Sequence, residues 1–413
     1  MEHLDVIVTV LGAVVLALGL LSRWLETSPL PPTVIALGLG VLLGPQVAGI
    51  IDLSELGDRS RILEGAARLT LGIGLVGVAL RIPRRYPRRN WGEMTVVVGA
   101  GMVLMWAIST LLGVLILQLP LWMAALVGAM LTATDPIAST PIVTGTDAEA
   151  HVPERIRHLI SFESGANDGL GYLFVFLPFL MLTRPEDEAL VHWLTHTLLW
   201  EVGAATLVGL ALGDAAGRLL QAAERRNAIE KHWRLVYTVA MALLALGIGR
   251  LIRTDEVLLV FAAGMMFVQH VSTSDRVNEE HGQEAVNRFF FVPIFIAFGA
   301  AIPWQGWQAL GATGIVFAIA VLLLRRPPVL WLLRPALPSI RSAADALFVG
   351  WFGPIAIAAI YYATLLEHRL HDPRVWHIVS LVVGASVIAH GVSASPLTRL
   401  YGRYSRGRKG SEE

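Results

Sequence analysis

Residues 120–145 read PLWMAALVGAMLTATDPIASTPIVTG. The first half is an unbroken apolar run, and the second half sets Asp135 and Pro136 where that run should continue. A second apolar stretch, 157–182, is interrupted in the same way by Glu163-Ser164-Gly165-Ala166-Asn167-Asp168. A carboxylate near the middle of a bilayer costs at least ~2.5 kcal/mol, so it normally faces protein or a water-filled cavity. Two such interruptions in succession imply a polar ion site built between helices, the pattern of a transporter.

The composition points the same way. Of 413 residues, 55% are hydrophobic and 15% charged, whereas soluble domains carry roughly 25% charged residues. The mean hydropathy is +0.62. Twelve Trp and 39 Gly fit a membrane protein, because Trp favours the interfaces and Gly is common in spanning helices. The 32 basic and 32 acidic residues cancel, so nothing in the charge suggests a nucleic-acid partner. Cysteine is absent, which excludes a disulfide framework, a thiolate nucleophile and a cysteine-held cluster. The first apolar run, 4–21, has acidic Glu2 and Asp5 around its start and Arg23 at its end. It reads as a retained first helix rather than a signal peptide.

Apolar runs place spans at 4–22, 32–48, 63–80, 92–117, 120–145, 157–182, 190–214, 233–250, 255–270, 288–302, 309–332, 344–366 and 375–391. Short ones are acceptable if they pack inside a bundle or meet a thinned bilayer. Basic residues gather in alternate connections, among them Arg23, the group Arg81, Arg84, Arg85, Arg88 and Arg89, and the pair Arg334 and Arg341. The intervening connections lean acidic, as in Pro185-Glu186-Asp187-Glu188. By the positive-inside rule this predicts an external N-terminus and a cytoplasmic C-terminus. The expectation is an all-α polytopic membrane protein with about thirteen transmembrane helices.

Pro136 has no N–H to bond the Thr132 carbonyl, so the helix should kink or unwind near Asp135. Freed carbonyls beside a carboxylate, with the oxygens of Thr132, Thr134, Ser139 and Thr140, suit a small hard cation. In the next span Glu163 stacks with Asn167 and Ser164 with Asp168, each pair four apart on a helix face. Asp168 is the first choice for the exchanged proton. Burial raises the pKa of a carboxylate and a bound cation lowers it again, so one group can hold either ion in turn. Asn167 reads as a hydrogen-bonding brace. The plainer alternatives are a proline kink with a neutral structural Asp135 and a structural buried ion pair at Glu163. Arg288 could supply the partner of Glu163 or snorkel to the surface. Asp345 reads as structural or solvated, His390 as interfacial, and Arg325-Arg326-Pro327 as the end of an apolar span. The glycine run Leu71-Gly72-Ile73-Gly74-Leu75-Val76-Gly77 lacks a nucleotide-site context and reads as close helix packing. No His, Glu and Asp grouping has zinc-site spacing, and no P-loop is present, so neither an ATPase activity nor an ATPase subunit is implied.

The segments Ala133-Thr134-Asp135-Pro136, Phe162-Glu163-Ser164-Gly165-Ala166-Asn167-Asp168-Gly169 and Gly350-Trp351-Phe352-Gly353-Pro354 together resemble the monovalent cation:proton antiporter superfamily, and within it the prokaryotic NhaP-type sodium/proton exchangers. The resemblance covers about residues 4–391. It implies an antiporter fold with inverted repeats and a discontinuous helix near Asp135. It also implies a homodimer with a dimerisation region and a moving core, in a prokaryotic plasma (inner) membrane. Residues 1–396 would form the exchanger domain, with 120–182 and 288–366 in its core, and 397–413 a short basic cytoplasmic tail. Asp135, Glu163, Ser164, Asp168 and the Thr134 carbonyl would surround a transported Na+ or Li+, with Asn167 and Pro136 supporting them and no cofactor required. The Asn167-Asp168 pair resembles that of electroneutral members. A potassium/proton antiporter is the alternative; a cation channel or a membrane-embedded aspartyl enzyme fits less well. One departure stands out. Many relatives carry an arginine just after the Gly-Pro, thought to pair with the glutamate, and this chain has Ile355 there.

Overall fold

The computed structural model describes residues 2–21, 30–230 and 232–409, and the side chains of these except 2–3, 273–281 and 406–409. Arg23, used above in reading the topology, lies outside them. Among the described residues every regular element is helical. Within those residues seven helices are long and apolar enough to cross a membrane, and four more are apolar but shorter.

In chain order the main helices are α1 (Glu2–Leu20), α2 (Pro32–Leu43), α3 (Arg59–Arg81), α4 (Trp91–Leu117), α5 (Leu121–Met130), α6 (Glu154–Thr183) and α7 (Glu186–Arg225). Then come α8 (Trp233–Leu251), α9 (Glu256–Phe267), α10 (Thr273–Ala300), α11 (Trp304–Leu324), α12 (Ala343–Trp351), α13 (Ile357–Leu370) and α14 (Pro373–Lys409). Several starts are set by side-chain caps: Asp58 accepts from the Ser60 and Arg61 amides at α3, and Asp255 from those of Val257 and Leu258 at α9. Each satisfies amides that the first helical turn leaves without a partner.

Two groups of helices pack side by side. One contains α2, α3 and α7–α10, and the other α4–α6 and α11–α14; they meet where α3, α7 and α9 lie against α6 and where α3 packs on α13. The glycine run of α3 allows the close approach its sequence suggested. A Cβ at Gly74 would stand 2.8 Å from Ile137 Cδ1, and one at Gly77 2.8 Å from Asn287 Nδ2. Outward positions are apolar: Leu115 is 65% exposed, Leu207 70% and Ile315 57%. Such faces would be costly in water and are at home in lipid.

Two expected spans are interrupted. Past Met130 the chain leaves the helix and resumes only as a short turn of helix, Thr140–Val143. The span expected at 344–366 is likewise broken into α12 and α13 by the non-helical residues 352–356. Proline explains both breaks, Pro136 in the first and Pro354 in the second. At the C-terminal end, α14 continues without a break through the expected boundary at 396, with Pro396 inside it.

Candidate ion site at the crossing of two interrupted helices

The two interruptions cross. The Asp135 amide donates to the Pro354 carbonyl at 2.7 Å, and the Ile357 amide donates to Asp135 Oδ2 at 2.6 Å. Asp135 Oδ1 accepts from the Ile137 and Ala138 amides at 2.7 and 2.8 Å. The carboxylate therefore sits at two helix starts, its own turn and that of α13, where oriented N–H groups favour negative charge.

Arg325 takes the opposite pole. Its guanidinium donates to the Leu131 and Gly353 carbonyls, with further contacts to Thr132 O at 3.3 Å and Ala133 O at 3.4 Å. These carbonyls lie just beyond α5 and α12, where unpaired C=O groups give each helix a partial negative end. His390 and Ser386 of α14 complete the brace: Ser386 Oγ accepts from the Ile355 amide at 2.7 Å, and His390 Nε2 lies 2.9 Å from the Trp351 carbonyl. The position expected to be interfacial is thus interior, with His390 only 4% exposed. Its ring satisfies backbone that the broken helix leaves open.

From α6, Asn167 Oδ1 accepts from the Thr134 amide at 3.0 Å and its Nδ2 donates to Thr134 Oγ1 at 2.8 Å. Thr134 Oγ1 is also 3.1 Å from Ser164 Oγ. Asp168 is fully buried and within electrostatic reach of Asp135. Tyr362 donates to its backbone carbonyl at 2.7 Å. Neither of its carboxylate oxygens has a hydrogen-bond partner among the described residues. Buried polar atoms are normally satisfied, which sets this carboxylate apart from those of Asp135 and Glu163.

Glu163 pairs with Arg326, at 3.2 Å from Nε to Oε1 and 2.5 Å from Nη2 to Oε2. Arg288 is elsewhere: its side chain is 53% exposed and bridges to Glu284 on its own helix at 3.0 Å. The partner of Glu163 is therefore Arg326, and Arg288 plays no part at the crossing. Both Glu163 oxygens are engaged by a guanidinium, which leaves this carboxylate less free to ligate a cation than the sequence suggested. Arg325 and Arg326, expected to end an apolar span, are each 2% exposed. Asp345 also lies inside, bridged to Arg155 at 2.8 Å and bonded by Tyr401 at 2.6 Å, and it braces the helix ends rather than the crossing.

The site thus brings together Thr134, Asp135, Pro136, Glu163, Ser164, Asn167 and Asp168, as their spacing suggested, and adds Arg325, Arg326, Ser386 and His390. Its oxygen-rich donors, with one carboxylate free, fit a small hard cation carried as substrate. Among the described residues no group of three or more His, Cys, Asp or Glu side chains could hold a resident metal ion.

Among the described residues, an all-helical bundle with charged groups sealed at the crossing of two broken helices defines a polytopic membrane protein. The chain belongs to the sodium/hydrogen exchanger transmembrane family, whose model matches residues 10–400. It is 30% identical over 392 residues to a Na(+)/H(+) antiporter of Saccharomyces cerevisiae, covering 87% of this chain and 40% of that protein. It is 29% identical over 380 residues to one of Schizosaccharomyces pombe, covering 86% and 81%. The chain spans about half the length of several fungal relatives it matches, 40%, 51% and 49% of three of them. The fold is that of the sodium proton antiporter MjNhaP1 from Methanocaldococcus jannaschii, with a TM-score of 0.77 at 20% identity over 97% of this chain and 99% of that one.

Proposed function

We propose that this chain is a secondary antiporter that exchanges Na+, or Li+, for H+ one for one by competition at Asp168. The observation that carries this reading is a charge inventory. Three carboxylates and two guanidinium groups are sealed around the crossing: Asp135, Glu163, Asp168, Arg325 and Arg326. Glu163 is matched by Arg326. Asp135 at the helix starts and Arg325 at the helix ends oppose one another across the crossing. Asp168 alone has no donor on its carboxylate. Ionised and empty it leaves a buried uncompensated charge, which is costly; a proton or a monovalent cation removes that charge equally. Each loaded form is neutral and the empty one is not, so movement is favoured only with one ion or the other aboard. That is tightly coupled, electroneutral exchange. Sodium is the ion in the names of the fungal and archaeal relatives, and no feature of the site favours potassium.

The cation would sit among the Asp168 carboxylate, Ser164 Oγ and the Thr134 carbonyl. Asp135 would act chiefly as the fixed anion of the crossing. Glu163 would hold Arg326 in place, and Asn167 would hold the unwound strand at Thr134. The moving core would contain 120–182 and the segments from α11 onward. The segment 288–300, whose helix α10 packs on α2 and α3, would belong with the other group, which would form the homodimer region. The basic connections support a C-terminus in the cytoplasm. The NhaP resemblance suggests a prokaryotic plasma membrane, although four of the relatives of known name are fungal.

The test is Asp168→Ala in proteoliposomes, read as sodium-dependent dissipation of a pH gradient. The variant should keep the melting temperature of the parent and lose exchange. Exchange at the parent rate would overturn the assignment.

A further inference from the structure

We propose a second site, for a phosphate group, in the pocket where α3, α8 and α13 meet at the end of the bundle where α3 begins and α13 ends. The pocket measures about 420 Å³ and is lined by Arg61, Glu64 and Arg68 of α3, Arg250 of α8, and His368 and Arg369 of α13. Residues 61, 64 and 68 fall three and four apart, so one stripe of α3 supplies half of these groups. The pocket is large enough for a phosphate head group and lies in the range of small-ligand sites.

Its charges do not cancel. Arg68 is held 2.7 Å from Glu256, and Arg250 reaches Glu64 at 3.2 Å and Glu256 at 3.6 Å. Two carboxylates thus answer two guanidinium groups. Arg61 and Arg369 have no carboxylate within ion-pair distance among the described residues; Arg369 lies over the rings of Phe176 and Phe179 at 5.7 and 6.0 Å. His368 Nε2 lies 3.3 Å from an Asp58 carboxylate oxygen at the rim. Two surplus guanidinium groups therefore converge on one concavity, on helices from the two packed groups. A cleft whose lining carries a surplus of one sign of charge attracts the opposite ion. Guanidinium forks match tetrahedral oxyanions by paired hydrogen bonds, which a halide cannot accept in that geometry. The shared chemistry is a phosphate monoester or diester, from a lipid or free in solution. Bound there, it would tie Arg369 of α13 to Arg61 of α3 across the seam between the two groups.

The experiment uses the purified full-length chain, delipidated in an uncharged detergent, with binding read by titration and by melting temperature. The probes are dioctanoyl phosphatidylglycerol, inorganic phosphate, and as controls dioctanoyl phosphatidylcholine and chloride at matched ionic strength. At least one phosphate probe should bind above its control; the lipid alone identifies a lipid head group, and phosphate alone a soluble oxyanion. The double variant Arg61→Ala/Arg369→Ala should weaken that binding by at least ~10-fold. Glu64→Gln, which removes the lining carboxylate, should tighten it. Equal binding of probes and controls, undiminished binding by the double variant, or weaker binding by Glu64→Gln would overturn the site. No ion gradient is involved, so the result stands apart from that of the Asp168 test.

Discussion

The Arg326 guanidinium and the Glu163 carboxylate, 163 positions apart in the chain, meet at 2.5 Å with 2% and 0% of their side chains exposed. Arg326 also donates to the Val349 carbonyl of α12, so the pair joins α6 to the broken span. Breaking a buried pair by removing one partner strands the other charge, at a cost of ~3–5 kcal/mol, whereas replacing both by apolar groups costs far less. Arg326→Ala and Glu163→Ala should each lower the melting temperature in detergent sharply, and Glu163→Leu/Arg326→Met should melt higher than either. Additive losses in the double variant would mean that the two groups do not act as a pair.

Arg325 is expected to matter through the backbone it binds. Arg325→Ala leaves the carbonyls of Leu131 and Gly353 without their buried donor, at ~1–3 kcal/mol for each unsatisfied group. The residues freed lie within a few positions of Thr134 and Asp135, so the crossing should loosen and the maximal exchange rate fall by ~10-fold or more. Arg325→Lys restores the charge without the fork, and should recover part of the rate. A variant with normal exchange and a lowered melting temperature would make Arg325 a purely structural residue.

The oxygen-bearing half of this site was legible in the sequence because it is local. Asp135 and Pro136 are adjacent, and Glu163, Ser164, Asn167 and Asp168 fall on one turn and a half of helix. The basic half was not. Arg325 and Arg326 precede Pro327 at the edge of an apolar run, where an exposed helix end and a buried one look alike. Which of them faces Glu163 depends on a fold-back that no local pattern records. Arg288 drew attention for the opposite reason: it stands beside a very apolar segment, yet Glu284 four residues earlier satisfies it. The missing arginine at Ile355 made Glu163 look unpartnered, although Arg326 serves it from the bend that follows α11. The same holds for His390, whose burial depends on the Trp351 carbonyl being freed by the break at 352–356.

Asp372, in the connection between α13 and α14, offers a pH effect outside the spans. The Arg374 side chain bonds it at 2.6 Å and holds its pKa below the ordinary 3.8. A carboxylate depressed in the folded state adds stability that is present above its unfolded pKa and lost as pH falls through the folded one. Asp372→Asn should therefore melt slightly lower than the parent at neutral pH, and the two should converge in strong acid. The group is partly solvated, so the difference should be small and shrink with salt. Exchange should be unchanged, since the pair is remote from the crossing.

The seam between the two helix groups can be tested directly, because the chain contains no cysteine. Arg59 of α3 bonds Glu367 of α13 at 2.8 and 3.1 Å, and Ser60 donates to the same carboxylate. If one group moves against the other in each cycle, these bonds must break and re-form. The variant Ser60→Cys/Glu367→Cys places two thiols about one glutamate side chain apart, within reach of a short bifunctional thiol reagent. Cross-linking should reduce exchange to background while leaving the melting temperature equal or higher, since the tie constrains the unfolded chain. Each single-cysteine variant treated with the same reagent should keep its activity, which separates tethering from modification. Loss of exchange under complete cross-linking would mean that α13 must slide on α3 for an ion to cross. Full exchange under the same condition would mean that the seam is static, and that the ion reaches Asp168 from both sides without a bundle moving.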